Sequence, residues 1–128
     1  MTGDRILVVE DNPLNLKLIR DVLVFKGYEV IEARSGEEGV DVAHDRVPDL
    51  VLMDLQLPGI DGVEALRLLR QDPVVGAVPV VAVTAFAMKE DRERAYANGF
   101  DGYLSKPISV RALPAQVEAF LRRVKPDG

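Results

Sequence analysis

Residues capable of chemistry follow directly on short apolar runs in this chain. Glu10 and Asp11 follow Ile6–Val9, Asp54 follows Leu50–Met53, Thr84 follows Val80–Val83, and Ser105-Lys106-Pro107 follows Tyr103-Leu104. Singly, each has an ordinary reading: an acid as a helix cap or turn residue, Thr84 as a β-branched strand residue, Lys106 as a surface charge. Gathered at one edge they are three carboxylates, a hydroxyl and an ammonium. Two carboxylates about 4 Å apart repel by about 4 kcal/mol at an effective dielectric of about 20, and one lysine offsets only part of a three-acid cluster. The set calls for a cation.

Oxygen-only ligands select a hard ion. Mg²⁺ suits one or two carboxylates with waters and a phosphate oxygen, and the chain has no EF-hand loop that would favour Ca²⁺. Asp11 and Asp54 would hold the ion, with Glu10 close by or acting through water. Asp54 then becomes a candidate nucleophile, since a carboxylate can accept a phosphoryl group as an aspartyl phosphate. Mg²⁺, Lys106 and the Thr84 hydroxyl would stabilise charge on the equatorial oxygens of such a transfer.

The elements that must position these groups are legible as alternation. Five apolar bursts, Ile6–Val9, Tyr28–Ala33, Leu50–Met53, Val80–Val83 and the weaker Tyr103-Leu104, are separated by segments of helical spacing. Continuously apolar strands suit a sheet covered on both faces. The expected fold is α/β: a flavodoxin-like (βα)₅, doubly wound parallel five-stranded sheet of order 2-1-3-4-5. Such sheets bind ligands at the carboxyl ends of their strands, where the strand order reverses. Ser35 with Glu38 reads as a capping box, Asp61 with Glu64 resembles one, and Gly27 and Gly99 stand where helices one and four should stop. Helix one, Pro13 to Lys26, carries Leu14, Leu18, Val22 and Phe25 on one side, extended by Leu16, Ile19 and Leu23. That apolar arc is wider than a surface helix needs, and deep burial is the expectation; the alternative is that Leu14 or Leu16 meets a partner. In helix five, Val110 to Val124 with Ser109 as cap, Pro114 predicts a late start or a kink.

Composition narrows the classes. The 128 residues, 48% hydrophobic and 29% charged, suit one globular domain. With no cysteine and one histidine, His44, thiolate metal sites, disulfides and His-rich zinc sites are excluded. A net charge of −5 argues against nucleic acid as a partner. No apolar run approaches the roughly 20 residues of a membrane span, and the start lacks a signal peptide's pattern. A cytoplasmic protein, a monomer or weak dimer without a membrane partner, is expected.

Val8-Val9-Glu10-Asp11-Asn12, the run from Leu52 through Asp54 to Gly62, Val83-Thr84-Ala85 and Ser105-Lys106-Pro107 resemble the response-regulator receiver domain of two-component signalling, a CheY-like family. The resemblance spans essentially the whole chain. Within the family it points to stand-alone regulators of the DivK type, through Thr84-Ala85-Phe86-Ala87-Met88-Lys89 and Lys106-Pro107-Ile108-Ser109. It implies that Asp54 is phosphorylated by a histidine kinase or phosphotransfer protein. It further implies that Asp11, Asp54 and the backbone carbonyl of Gln56 bind Mg²⁺ with Glu10 assisting, and that Thr84 and Lys106 bind the phosphoryl oxygens. Many receivers have aspartate where this chain has Glu10, which favours contact through water. Tyr103 would be the aromatic switch, moving as Thr84 is drawn to the phosphoryl group, and the Lys106-Pro107 bond would be cis. The surface of helix four, strand five and helix five would then signal to another protein, as in cell-cycle or cell-polarity control. Only Lys125-Pro126-Asp127-Gly128 follow helix five, so a single receiver over residues 1–128 without an output domain is expected.

Three rivals are weaker. A haloacid-dehalogenase-type phosphatase needs an acid where Gln56 stands. A flavin module needs a Ser/Thr/Gly-rich loop where Glu10-Asp11-Asn12-Pro13 stands. An unphosphorylated scaffold would have no use for the complete residue set.

Overall fold

The computed structural model describes residues 4–85 and 88–124; Phe86, Ala87 and residues 125–128, all named in the sequence reading, lie outside the described residues. The strands are β1 (Arg5–Val9), β2 (Glu29–Ala33), β3 (Leu50–Asp54), β4 (Val80–Thr84) and β5 (Gly102–Ser105). The helices are α1 (Pro13–Phe25), α2 (Gly36–Asp45), α3 (Gly62–Gln71), α4 (Lys89–Ala97) and α5 (Leu113–Val124). They alternate strictly, and every strand pair is parallel in the order β2-β1-β3-β4-β5. The expected fold class is what the chain adopts.

Alternation of side chains across the pleat divides the core in two. Ile6, Val8, Leu50, Leu52, Val81, Val83 and Leu104 pack under α1 and α5, against Leu16, Ile19, Leu23, Leu113, Val117 and Leu121. Leu7, Val9, Val51, Met53, Val80 and Ala82 pack under α2, α3 and α4, against Ala43, Ala65, Leu66, Leu69 and Ala95. β3 and β4 are buried at every position, as a strand covered on both faces must be.

The helix boundaries follow their chemistry. Asn12 caps α1, its side-chain oxygen accepting from the Leu14 and Asn15 amides at 2.9 and 3.1 Å, with Pro13 in the first turn where its missing N–H costs nothing. Ser35 Oγ accepts from Glu38 N at 3.1 Å, while Glu38 reaches back one residue beyond the cap, to Arg34 N. Gly27 and Gly99 take φ of 97° and 106° at the ends of α1 and α4. At Pro114 the outcome is the late start: a turn over residues 110–112, held by Ala112 N donating to Ser109 Oγ, precedes α5, so the proline falls in the first helical turn.

Helix α1 corrects one expectation. Leu16, Ile19 and Leu23 are buried, but Leu14 is 77% and Phe25 85% exposed. One layer of sheet cannot cover an apolar arc that wide, so the Leu14–Phe25 side stays in solvent.

At the amino ends of the strands, Arg70 donates to the carbonyls of Gly76, Val78 and Gly99 and to Asp101 Oδ2, tying α3 to the segments that enter β4 and β5. Nearby, His44 in the last turn of α2 meets Asp72, the cap of α3, with Nδ1 2.7 Å from Oδ2. That bond, with the negative charge of Asp72, raises the His44 pKa. A raised imidazole pKa stabilises the fold fully below the unfolded value near 6.5, and the gain is lost as pH rises through the folded pKa. His44→Gln should therefore lower the melting temperature at pH 5.5 and converge on wild type in alkaline buffer. Melting curves against pH read this directly, and a pH-independent difference would refute the ion pair.

Candidate functional site

Strand register brings the chemistry together. Val9 is level with Met53, Asp54 with Val83, and Thr84 with Ser105, so Glu10, Asp54, Thr84 and Lys106 follow one another along the carboxyl edge. The switch in strand order lies between β1 and β3, where sequence-distant strands become neighbours.

Glu10, Asp11 and Asp54 each offer a carboxylate oxygen, all within 4.8 Å of one another. Glu10 and Asp54 are buried, and Asp11 is exposed at the mouth. Lys106 Nζ lies 2.8 Å from Asp54 Oδ2 and 3.0 Å from Glu10 Oε1, bridging two acids. The other oxygens accept backbone donors: Asp54 Oδ1 from Gln56 N at 2.9 Å, and Glu10 Oε2 from Asn12 N at 3.1 Å. Burial pushes the Glu10 carboxyl above its ordinary pKa, aided by neighbouring Asp54 and opposed by Asn12 and Lys106. For Lys106 burial works downward, but the hydrogen bond to Asp54 and the pairing with Glu10 outweigh it and the pKa rises.

A divalent cation fits this donor set. Glu10 Oε1 is fully buried and makes no directed hydrogen bond; Lys106 Nζ stands 3.0 Å away, and the like charge of Asp54 is beside it. Three acids share a single ammonium in a partly dry pocket, the imbalance that a hard cation relieves.

Thr84 is buried at the end of β4, its carbonyl accepting from Lys106 N at 2.8 Å. Tyr103 is half-buried, level with Ala82, and packs on the core under α2, α3 and α4; burial raises its hydroxyl pKa, with the charge of Asp91 adding to the effect. The pleat thus puts Thr84 and Tyr103 on the face opposite Asp54. The Gln56 side chain is exposed, and the Lys106–Pro107 peptide is cis. Asn12 was missed as a contributor. An asparagine before Pro13 signals the helix cap, but its amide bond to Glu10 depends on how the chain turns after β1.

A doubly wound sheet that carries an aspartate, flanking acids and a bridging lysine to one edge defines a signalling domain of the two-component type. The chain belongs to the response regulator receiver domain family, whose pattern matches residues 6–118. It is 47% identical over 116 residues to the polar-differentiation response regulator DivK of Brucella ovis, covering 91% of this chain and 94% of that protein. Among solved structures it resembles the receiver domain of the sensor histidine kinase PA1611 from Pseudomonas aeruginosa, which has a magnesium ion coordinated in its active site cleft. That match has a TM-score of 0.85 at 36% identity and covers 94% of this chain and 98% of the other. A response regulator from Chloroflexus aurantiacus superposes with a TM-score of 0.88 at 31% identity, covering 94% and 99%. No helix among the described residues is long and apolar enough to cross a membrane.

Proposed function

We propose that the chain is a phospho-accepting switch of a two-component or phosphorelay system, with Asp54 as phosphoacceptor and a role in cell-polarity or cell-cycle control. The observation that carries the reading is Lys106 bridging Asp54 and Glu10 within a three-acid cluster. Asp11, Asp54 and the Gln56 carbonyl would hold Mg²⁺, with Glu10 assisting. Bound there, Mg²⁺ supplies positive charge to the oxygens of the group being transferred. An oxygen of Asp54 attacks the phosphorus of a donor's phosphohistidine; the P–O bond forms as the P–N bond breaks, and the imidazole keeps the electron pair. Lys106 and the Thr84 hydroxyl take the phosphoryl oxygens.

The donor is a histidine kinase or histidine phosphotransfer protein. The solvent-facing Leu14, Leu18 and Phe25 of α1, which begins beside Asp11, support docking of a helical partner there. Phosphorylation adds about −1.5 to −2 charge to the site. Thr84 moves toward that charge, and Tyr103, on the same face one pleat away, follows it. The surface of α4, β5 and α5 changes for a downstream protein target. Only a differential interaction of the phosphoryl group with the two states can drive such a shift.

Acetyl phosphate with Mg²⁺ should add one phosphoryl group per chain, read by intact-mass spectrometry. Mg²⁺ alone should raise the melting temperature by linkage, and Asp11→Ala should remove most of that rise. An unchanged mass favours the unphosphorylated scaffold, and turnover of a small phosphoester favours the phosphatase.

A further inference from the structure

The loop from Leu55 to Asp61 carries the Gln56 carbonyl and is pinned at both ends. Leu55 N donates to Val83 O, Gln56 N to Asp54 Oδ1, and Gly62 N to Leu55 O. Its outer limb has another support. A Cβ on Gly36, the first residue of α2, would lie 2.7 Å from Ile60 Cγ1 and 3.0 Å from Ile60 O, so the helix start and the loop leave no room for a side chain between them. Ile60 packs on the core and resists being pushed aside. The Glu37 carboxylate reaches over the same turn. Its Oε2 accepts from Ile60 N at 3.4 Å and stands 2.8 Å from where a Cβ on Gly59 would be, beside a residue whose φ of 74° already favours glycine.

We propose that the first turn of α2, through Gly36 and Glu37, positions the loop that presents the Gln56 carbonyl to the metal, making these two residues positioning residues for cation binding. The inference rests on the metal site proposed above. A methyl group on Gly36 pushes the loop at Ile60, and the pins at Leu55 and Gly62 pass the displacement to Gln56. Loss of the Glu37 carboxylate frees the turn without adding bulk. Outer-shell changes of this kind typically weaken metal binding about 10- to 100-fold.

The test compares Gly36→Ala and Glu37→Ala with Gly76→Ala. The last variant crowds the Asp72 carbonyl at 2.7 Å, in the connection between α3 and β4. Mg²⁺ affinity is measured by calorimetry, and hydrogen exchange of the 55–62 segment by mass spectrometry without metal. Gly36→Ala is expected to bind Mg²⁺ about tenfold more weakly, with Glu37→Ala changed in the same direction. Both should exchange faster in the loop, while Gly76→Ala melts earlier yet keeps wild-type affinity. Wild-type affinity in both α2 variants overturns the inference, as does an equal loss of affinity in Gly76→Ala, which would trace the effect to stability alone. A wild-type protein with no Mg²⁺ isotherm overturns the metal site itself. Should Gly36→Ala fail to fold, Glu37→Ala carries the comparison.

Discussion

In Mg²⁺-free buffer at neutral pH, Lys106→Met is expected to cost about 3 kcal/mol, since removing one partner of a buried ion pair leaves uncompensated charge. For a domain of this size that is roughly a 10 °C fall in melting temperature. The Lys106 side chain is only 17% exposed, and the carboxylates it bridges are buried. Methionine fills the same volume, so the loss reports charge and not a cavity. The remaining acids repel, and the Glu10 carboxyl, already raised by burial, rises further. A carboxyl whose folded pKa lies above its unfolded value leaves the protein most stable below the unfolded value, and stability falls as pH rises through the folded one. The variant should therefore lose stability more steeply between mildly acidic and neutral pH than wild type does. Mg²⁺ should recover most of the deficit, producing a larger thermal shift than in wild type. Melting curves with and without the ion check this; a variant as stable as wild type without Mg²⁺ would mean the acids do not depend on Lys106.

Asp54→Asn should abolish phosphoryl uptake from acetyl phosphate, taking intact mass from one added group per chain to none. The amide is nearly isosteric and its oxygen can still accept from Gln56 N, so the fold persists. What it lacks is the nucleophilic lone pair of a carboxylate. The same substitution removes one of three clustered negative charges while Lys106 retains Glu10. Without Mg²⁺ it should melt no lower than wild type, and the Mg²⁺-induced rise should vanish. This is the reverse of the Lys106→Met pattern, and measuring both separates charge balance from general damage. A phosphoryl adduct persisting in Asp54→Asn would place the acceptor elsewhere.

How far the chain's order of residues reaches is visible in particular elements. The strand–helix alternation, the caps at Ser35 and Asp61 and the stops at Gly27 and Gly99 are local, set by side-chain period, a cap hydroxyl or carboxylate, and glycine's tolerance of positive φ. Because a parallel sheet places every strand's carboxyl end on one edge, local reading also brought Glu10, Asp11, Asp54 and Lys106 together. Pro114 shows the limit of such reading: late start and kink satisfy the same steric rule, and the turn held by Ser109 selects the first.

The amino-acid sequence by itself determined the elements, their order and the set of charged groups at the carboxyl edge, since each depends on residues adjacent in the chain or on a rule of parallel topology. Only the tertiary structure decided which side of α1 is left to solvent, that Thr84 and Tyr103 share the face away from Asp54, and that α2 abuts the loop at Ile60. These depend on register, on which helix covers which face and on contacts between residues far apart in sequence. Local propensity and periodicity alternate side chains along one strand but do not by themselves decide which strands and helices meet.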